Sequence, residues 1–145
     1  MPIRNAEAEW KGNLLEGQGR MKLGSGAYEG AYSFKSRMES GPGTNPEELI
    51  GAAHAGCFSM AFSAGLSKAG FPPKRVHTKA GVHFDKVGDG FSITRIDLEM
   101  EAEIPGIDQA KFQELAEGAK KNCPVSRALA GTQINLVARL VSAAH

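Results

Sequence analysis

The sequence predicts an α+β domain with mostly antiparallel sheet, its strands and helices segregated along the chain. Three observations predict it. An almost uncharged run at 49–65 follows a strong helix-start signal; two long strand-like segments, 76–87 and 91–104, flank Gly88-Asp89-Gly90; and an amphipathic helical pattern follows them. With 145 residues the chain fits one hydrophobic core, read here as a single domain, 1–145.

The first 35 residues read as short strands, with Glu7-Ala8-Glu9-Trp10-Lys11 alternating and Gly12, Gly17, Gly19, Gly24, Gly26 and Gly30 punctuating turns. Ser33-Phe34-Lys35-Ser36-Arg37-Met38 reads as a further strand, closed by Ser40-Gly41-Pro42-Gly43. At Thr44-Asn45-Pro46-Glu47-Glu48-Leu49, Asn45 is placed as N-cap. Pro46 then sits at the first helical position, where its missing N–H costs nothing, and Glu48 can complete a capping box. This helix should run to Lys68-Ala69 and stop at Gly70, ahead of Pro72-Pro73. The two long strands should pair as a hairpin through Gly88-Asp89-Gly90. On the second strand Phe91 and Ile93 keep one phase, whereas Ile96, Leu98, Met100, Ala102 and Ile104 keep the other, which predicts a bulge near Thr94-Arg95. Beyond the Pro105-Gly106 break, Asp108 should cap a helix with Phe112, Leu115, Ala116 and Ala119 on its apolar face. Asn122-Cys123-Pro124 interrupts that helix and starts a short one, and Ile134-Leu136-Ala138-Leu140 alternates as a final strand.

Composition narrows the function. A formal net charge of +1 leaves no large basic field, so nucleic acid is not an expected partner. The run at 49–65 carries His54, is rich in Ala, Gly and Ser, and falls short of the ~20 strongly apolar residues of a membrane span. It reads instead as a buried central helix, with no membrane partner. The opening MPIRNAEAEWKG has neither the apolar stretch of a secretory signal nor the Arg/Ser character of a transit peptide, which predicts a cytoplasmic location. Two cysteines are too few for a disulfide scaffold, and in a reducing compartment such a pair is inert core, a metal site or a redox site.

Cys57 lies 12 residues past Asn45 (57 − 45), or ~18 Å along a helix, too far for the helix dipole to act on its thiol. As a nucleophile it would need a nearby cation. Cys123 sits beside Pro124 at a helix start, where free N–H groups favour a thiolate, and is by these rules the more acidic thiol. His54 shares a helix face with Cys57, an arrangement seen in acyl-transferring Cys–His pairs, although a hydrogen-bonded core histidine is the commoner outcome. A zinc site from His54, Cys57 and Cys123 lacks a fourth ligand at recognisable spacing, so neither metal nor cofactor is expected. His77 and His83 have no evident partner on the hairpin.

The stretch 43–60, GTNPEELIGAAHAGCFSM, together with Asn122-Cys123-Pro124-Val125-Ser126, resembles the two cysteine motifs of the osmotically inducible protein C (OsmC) family, which is related to the organic hydroperoxide resistance proteins. The element order and the Pro105-Gly106-Ile107-Asp108 segment agree, so the resemblance covers essentially the whole chain. It implies an OsmC-like fold, antiparallel sheets around a long buried helix, and thiol peroxidase chemistry. Cys57 would attack the peroxide and Cys123 would trap the sulfenic acid as a disulfide. A dithiol reductant, lipoyl-type among the candidates, would reset the pair. The resemblance also implies an arginine and a glutamate: Glu47, ten residues before Cys57 (57 − 47), and Arg37, with Arg20 the weaker alternative. Arg37 would stabilise the thiolate and polarise the peroxide, and Glu47 would hold its guanidinium.

Ten residues of straight helix separate Glu47 from Cys57 by ~15 Å. If both serve one site, Glu47 and its arginine come from a second chain, which predicts an intertwined homodimer. Two other functions stay open at this point: a thiol hydrolase or acyltransferase using Cys57 and His54, and a non-catalytic redox-sensing module.

Overall fold

The computed structural model describes residues 2–141 and contains two compact units, one up to Leu49 and one from Ile50 on. In the first, β1 (Ala6–Lys11), β2 (Gln18–Leu23) and β3 (Glu29–Tyr32) form an antiparallel meander in the order β1-β2-β3. Trp10, Gly19 and Tyr32 fall in line across the three strands. Because Gly19 has no side chain, the Trp10 and Tyr32 rings close over it with centroids 5.5 Å apart; a Cβ there would stand 2.5 Å from Tyr32.

The strand expected at 33–38 is instead a helix, α1 (Phe34–Met38). Ser33 Oγ accepts from the Ser36 N–H at 3.0 Å, and Ser36 Oγ accepts from the Ser33 N–H at 2.9 Å. This reciprocal cap satisfies two otherwise orphaned donors, which outweighs the alternating pattern of so short a segment. The Ser36 hydroxyl also donates to the Thr44 carbonyl at 2.7 Å, and Asn45 Nδ2 donates to the Ser36 carbonyl at 3.1 Å, tying α1 to the start of the next helix.

That helix, α2 (Pro46–Lys68), crosses the boundary between the units one turn in. Asn45 caps it by accepting from the Glu48 N–H at 2.7 Å, while the Glu48 carboxylate accepts from Thr44 Oγ1. At the far end Gly70 adopts φ +91°, with the Phe71 N–H donating to Leu66 O and the Gly70 N–H to Ser67 O. These paired bonds form a Schellman stop that requires a left-handed residue at Gly70. At 23 residues α2 has the bounds read from sequence and, by length and composition, is long enough to cross a bilayer. Its stripe of Gly51, His54, Phe58, Phe62 and Leu66 is buried within the folded chain, whereas Ala52, Ala53, Gly56, Met60 and Ala64 on the opposite face are exposed.

In the second unit β4 (Arg75–Val87) and β5 (Gly90–Glu103) pair antiparallel through Gly88-Asp89. His83 pairs with Arg95 but Phe84 pairs with Ile93, so Thr94 is the extra bulge residue, and its hydroxyl donates to Asp85. β6 (Gln133–Val141) joins β5 in parallel. A parallel neighbour requires a crossover, which α3 (Gln109–Asn122) and α4 (Pro124–Ala128) supply. Register aligns Val82, Ile96 and Ile134, then Ala80, Leu98 and Leu136, on the face carrying the core. Phe58, Phe62 and Phe112 are all fully buried, with Phe62 stacked on Phe58 (6.1 Å) and edge-on to Phe112 (5.7 Å).

Asp108 accepts from the Lys111 N–H at 2.7 Å and starts α3. Replacing it by Ala should cost about 1 kcal/mol, and Phe62→Ala about 3–5 kcal/mol. Urea unfolding of both variants checks the order: comparable losses would contradict the central place of Phe62.

Candidate active site

Cys57 projects from the middle of α2 and is half-buried, whereas Cys123, the N-cap of α4, is fully buried. The α3–α4 break sets this arrangement. Pro124 has no N–H and ends the preceding pattern, so Cys123 leaves helical geometry (φ −56°, ψ 124°) at the corner. Both cysteines are free thiols, and their Sγ atoms stand 2.9 Å apart. Closing to the ~2.05 Å of a disulfide takes under ~1 Å of movement.

Either sulfur can hold the proton between them, and the surroundings favour charge on Cys123. Burial pushes the Cys57 thiol up, and the neighbouring Cys123 adds to that, against a lowering contribution from the Val125 N–H. Burial acts in the same direction on Cys123 but is outweighed. The Cys57 thiol, the Ser126 N–H, the Ser126 hydroxyl and the Val125 N–H together hold Cys123 below the usual thiol range. Within this unit Cys57 is therefore the less ionised thiol, as the helix position of each residue suggested.

His54 is fully buried on α2, and its Nε2 lies 2.7 Å from Ser126 Oγ. Nδ1 has no hydrogen-bond partner among the described residues, and an unsatisfied buried polar atom costs about 1–3 kcal/mol. The expected core histidine is thus present, and its hydrogen bond goes to Ser126. In the sequence Ser126 stands out only as part of the second cysteine motif. Its spacing, three residues after a helix-starting Cys123, was the available signal for a residue facing the thiol.

Arg37 and Glu47 form a two-pronged pair: Arg37 Nε donates to Glu47 Oε1 at 3.0 Å and Nη2 to Oε2 at 2.8 Å. Glu47 is 7% exposed while Arg37 keeps an accessible face, so a buried carboxylate anchors a partly exposed guanidinium. Arg20 instead engages Glu29 through a 2.5 Å bond, and Arg20 holds the Glu29 carboxyl below its usual range. His83 does have partners. Its Nε2 meets Asp97 at 2.7 Å, and Arg95 bonds the same carboxylate. Asn135, then His83 and Arg95, hold Asp97 low. The bulge and the parallel β6 assemble this cluster, so no short-range pattern announced it. Among the described residues no group of three or more His, Cys, Asp or Glu side chains could hold a metal ion.

The profile of the OsmC-like protein family matches residues 39–137, more than half of the chain. The chain belongs to the OsmC family. Glu47, Cys57 and Cys123 lie inside the matched span and Arg37 two positions before it. Over 127 residues the chain is 47% identical to peroxiredoxin OsmC of Escherichia coli, covering 87% of this chain and 89% of that one. It is 35% identical over 92 residues to the organic hydroperoxide resistance protein of Xanthomonas axonopodis, 63% of each. The OsmC fold itself superposes on the crystal structure of an organic hydroperoxide resistance protein OsmC from Legionella pneumophila, with a TM-score of 0.69 at 21% identity over 97% of this chain and 98% of that one.

Burial of His54 sets a sign for pH dependence. Desolvation lowers its folded value below the ordinary 6.5, so the unfolded chain binds the extra proton and stability rises with pH through that window. Urea unfolding should show stability falling from about pH 7 to pH 5. His54→Gln, which does not titrate, should reduce that slope, and equal slopes in both proteins would rule out a depressed His54.

Proposed function

We propose that the chain is one OsmC-like domain acting as a cytoplasmic, thiol-dependent peroxidase that reduces organic hydroperoxides, and hydrogen peroxide as a smaller substrate. The observation that carries this is the Cys57–Cys123 pair, two free sulfurs 2.9 Å apart. Kinship with proteins named peroxiredoxin and organic hydroperoxide resistance protein supports it.

Exposure divides the roles. Cys57 is the accessible sulfur and Cys123 the buried one, so a peroxide meets Cys57 first. The Cys57 thiolate attacks the distal peroxide oxygen and the O–O bond breaks. The alkoxide takes up a proton and leaves as an alcohol, and Cys57 becomes a sulfenic acid. The Cys123 thiolate then attacks the Cys57 sulfur, an S–S bond forms, and the S–O bond breaks to release hydroxide, which is protonated to water. An external dithiol, lipoyl-type among the candidates, exchanges with that disulfide, regenerating two thiols and leaving oxidised.

Cys57 still requires a cation, since its own unit holds its thiol high. Arg37, fixed by Glu47, supplies it from a second copy of the chain. The ten-residue spacing of Glu47 and Cys57 on α2, ~15 Å of ideal helix, is what favours a second chain as the donor of this pair. The exposed face of Ala52, Ala53, Gly56, Met60 and Ala64 gives a second helix a close seat, because small residues let backbones approach. The resulting two-fold homodimer carries two composite sites.

Cys57→Ser should abolish cumene hydroperoxide consumption with dithiothreitol. Arg37→Ala should lower kcat/KM by about 10²-fold or more, as loss of one transition-state donor does. Refolding an equimolar mixture of Arg37→Ala and Cys57→Ser chains tests the composite site directly. Mixed dimers contain one complete site, so activity should reappear; a mixture as inactive as its parents would exclude sharing between chains.

A further inference from the structure

His54 has no part in the peroxidase steps above, yet it is fully buried with one ring nitrogen bonded and the other bare. Ser126, 5% exposed, is its partner and lies three residues after Cys123, in the first turn of α4. A neutral imidazole has one N–H. If Ser126 donated to Nε2, that N–H would sit on Nδ1, buried without an acceptor, and the hydroxyl would have no hydrogen left for sulfur. With the N–H on Nε2, the ring donates to Ser126 Oγ and only a lone pair is left bare.

We propose that His54 and Ser126 form a buried donor chain that readies Cys123 as the resolving nucleophile, His54 Nε2–H donating to Ser126 Oγ and the Ser126 hydroxyl hydrogen turning to the Cys123 sulfur. This rests on the peroxidase reading above for its place in the cycle. While Cys57 is a thiolate, Cys123 keeps its proton and shares it across the 2.9 Å gap. Oxidation turns Cys57 into a neutral sulfenic acid and removes that competing charge. The proton then leaves Cys123 for water, and the Ser126 hydroxyl stabilises the new thiolate. The thiolate attacks the Cys57 sulfur; hydroxide departs and is protonated, so Cys123 is oxidised as the sulfenic sulfur is reduced to the disulfide level. The titratable groups joined by these contacts are Cys57, Cys123 and His54, and the other side chains of the surrounding core cluster, Phe58, Phe62, Phe112, Ala116 and Ala119 among them, carry no charge. His54 is a positioning residue, acting through Ser126 and not on sulfur.

The test has two readouts. In a Cys57→Ser background Cys123 is the one remaining thiol, and its titration is followed by ultraviolet thiolate absorbance against pH. Ser126→Ala and His54→Phe should each raise its midpoint by about one unit, whereas His54→Gln, which keeps an N–H near the Nε2 position, should stay near the parent. With Cys57 present and one equivalent of cumene hydroperoxide, dimedone trapping and mass spectrometry should find the sulfenic acid roughly tenfold longer-lived in Ser126→Ala, with its formation rate unchanged. An unmoved titration or an unchanged lifetime in Ser126→Ala overturns the proposal. Should His54→Phe not fold, Ser126→Ala and His54→Gln decide. Should the parent protein fail to consume hydroperoxide, the peroxidase reading falls, and the Cys123 titration alone judges the donor chain: a shift supports it and no shift overturns it.

Discussion

The packing of Phe58, Phe62 and Leu66 from α2 with β5 and α3 is the interaction on which the larger unit depends. These fully buried side chains fix the rotation of α2 about its axis. Cys57 precedes Phe58 by one residue and His54 precedes it by four, so the same rotation that buries the aromatic stripe sends His54 inward and leaves Cys57 at its margin. A helix apolar on every side has no intrinsic preference for which face turns in; the aromatic rings, with the largest area to bury, decide it.

Against that helix the α3–α4 corner brings the second sulfur. Phe112, Ala116 and Ala119 seat α3 in the same core, and Pro124 forces the turn that delivers Cys123. Proximity alone does not make a redox pair, because two buried thiols in an apolar core would both stay protonated. Here polar hydrogens of Val125 and Ser126 reach one sulfur more than the other, which separates an ionisable Cys123 from a Cys57 that needs outside help. The asymmetry fits the roles proposed above for an accessible sulfur and a sequestered one.

Much of the architecture was legible because local signals agreed with one another. Asn45 and Asp108 caps, the Gly70 stop, the two-residue Gly88-Asp89 turn and the Thr94 bulge each rest on chemistry within a few residues. The strand expected at 33–38 has the same origin: in six residues a period of two and a helical turn look alike, and only the Ser33–Ser36 exchange of hydrogen bonds separates them. The parallel placement of β6, and with it the Asp97–Asn135 bond, had no local signal at all.

For the candidate site the boundary falls in a similar place. By itself the chain's chemistry singled out two thiols in specific motifs and a histidine one helical turn before the first; the arginine and glutamate came only with the family resemblance. Side-chain type and helix position also determined that Cys123 should be the more acidic thiol. Only the tertiary structure decided that the sulfurs stand 2.9 Å apart, that Glu47 takes Arg37 while Glu29 takes Arg20, and that His54 bonds Ser126 across 72 positions of sequence. Those outcomes depend on packing angles between elements distant in sequence, and no periodicity along one element encodes the angle at which it meets another.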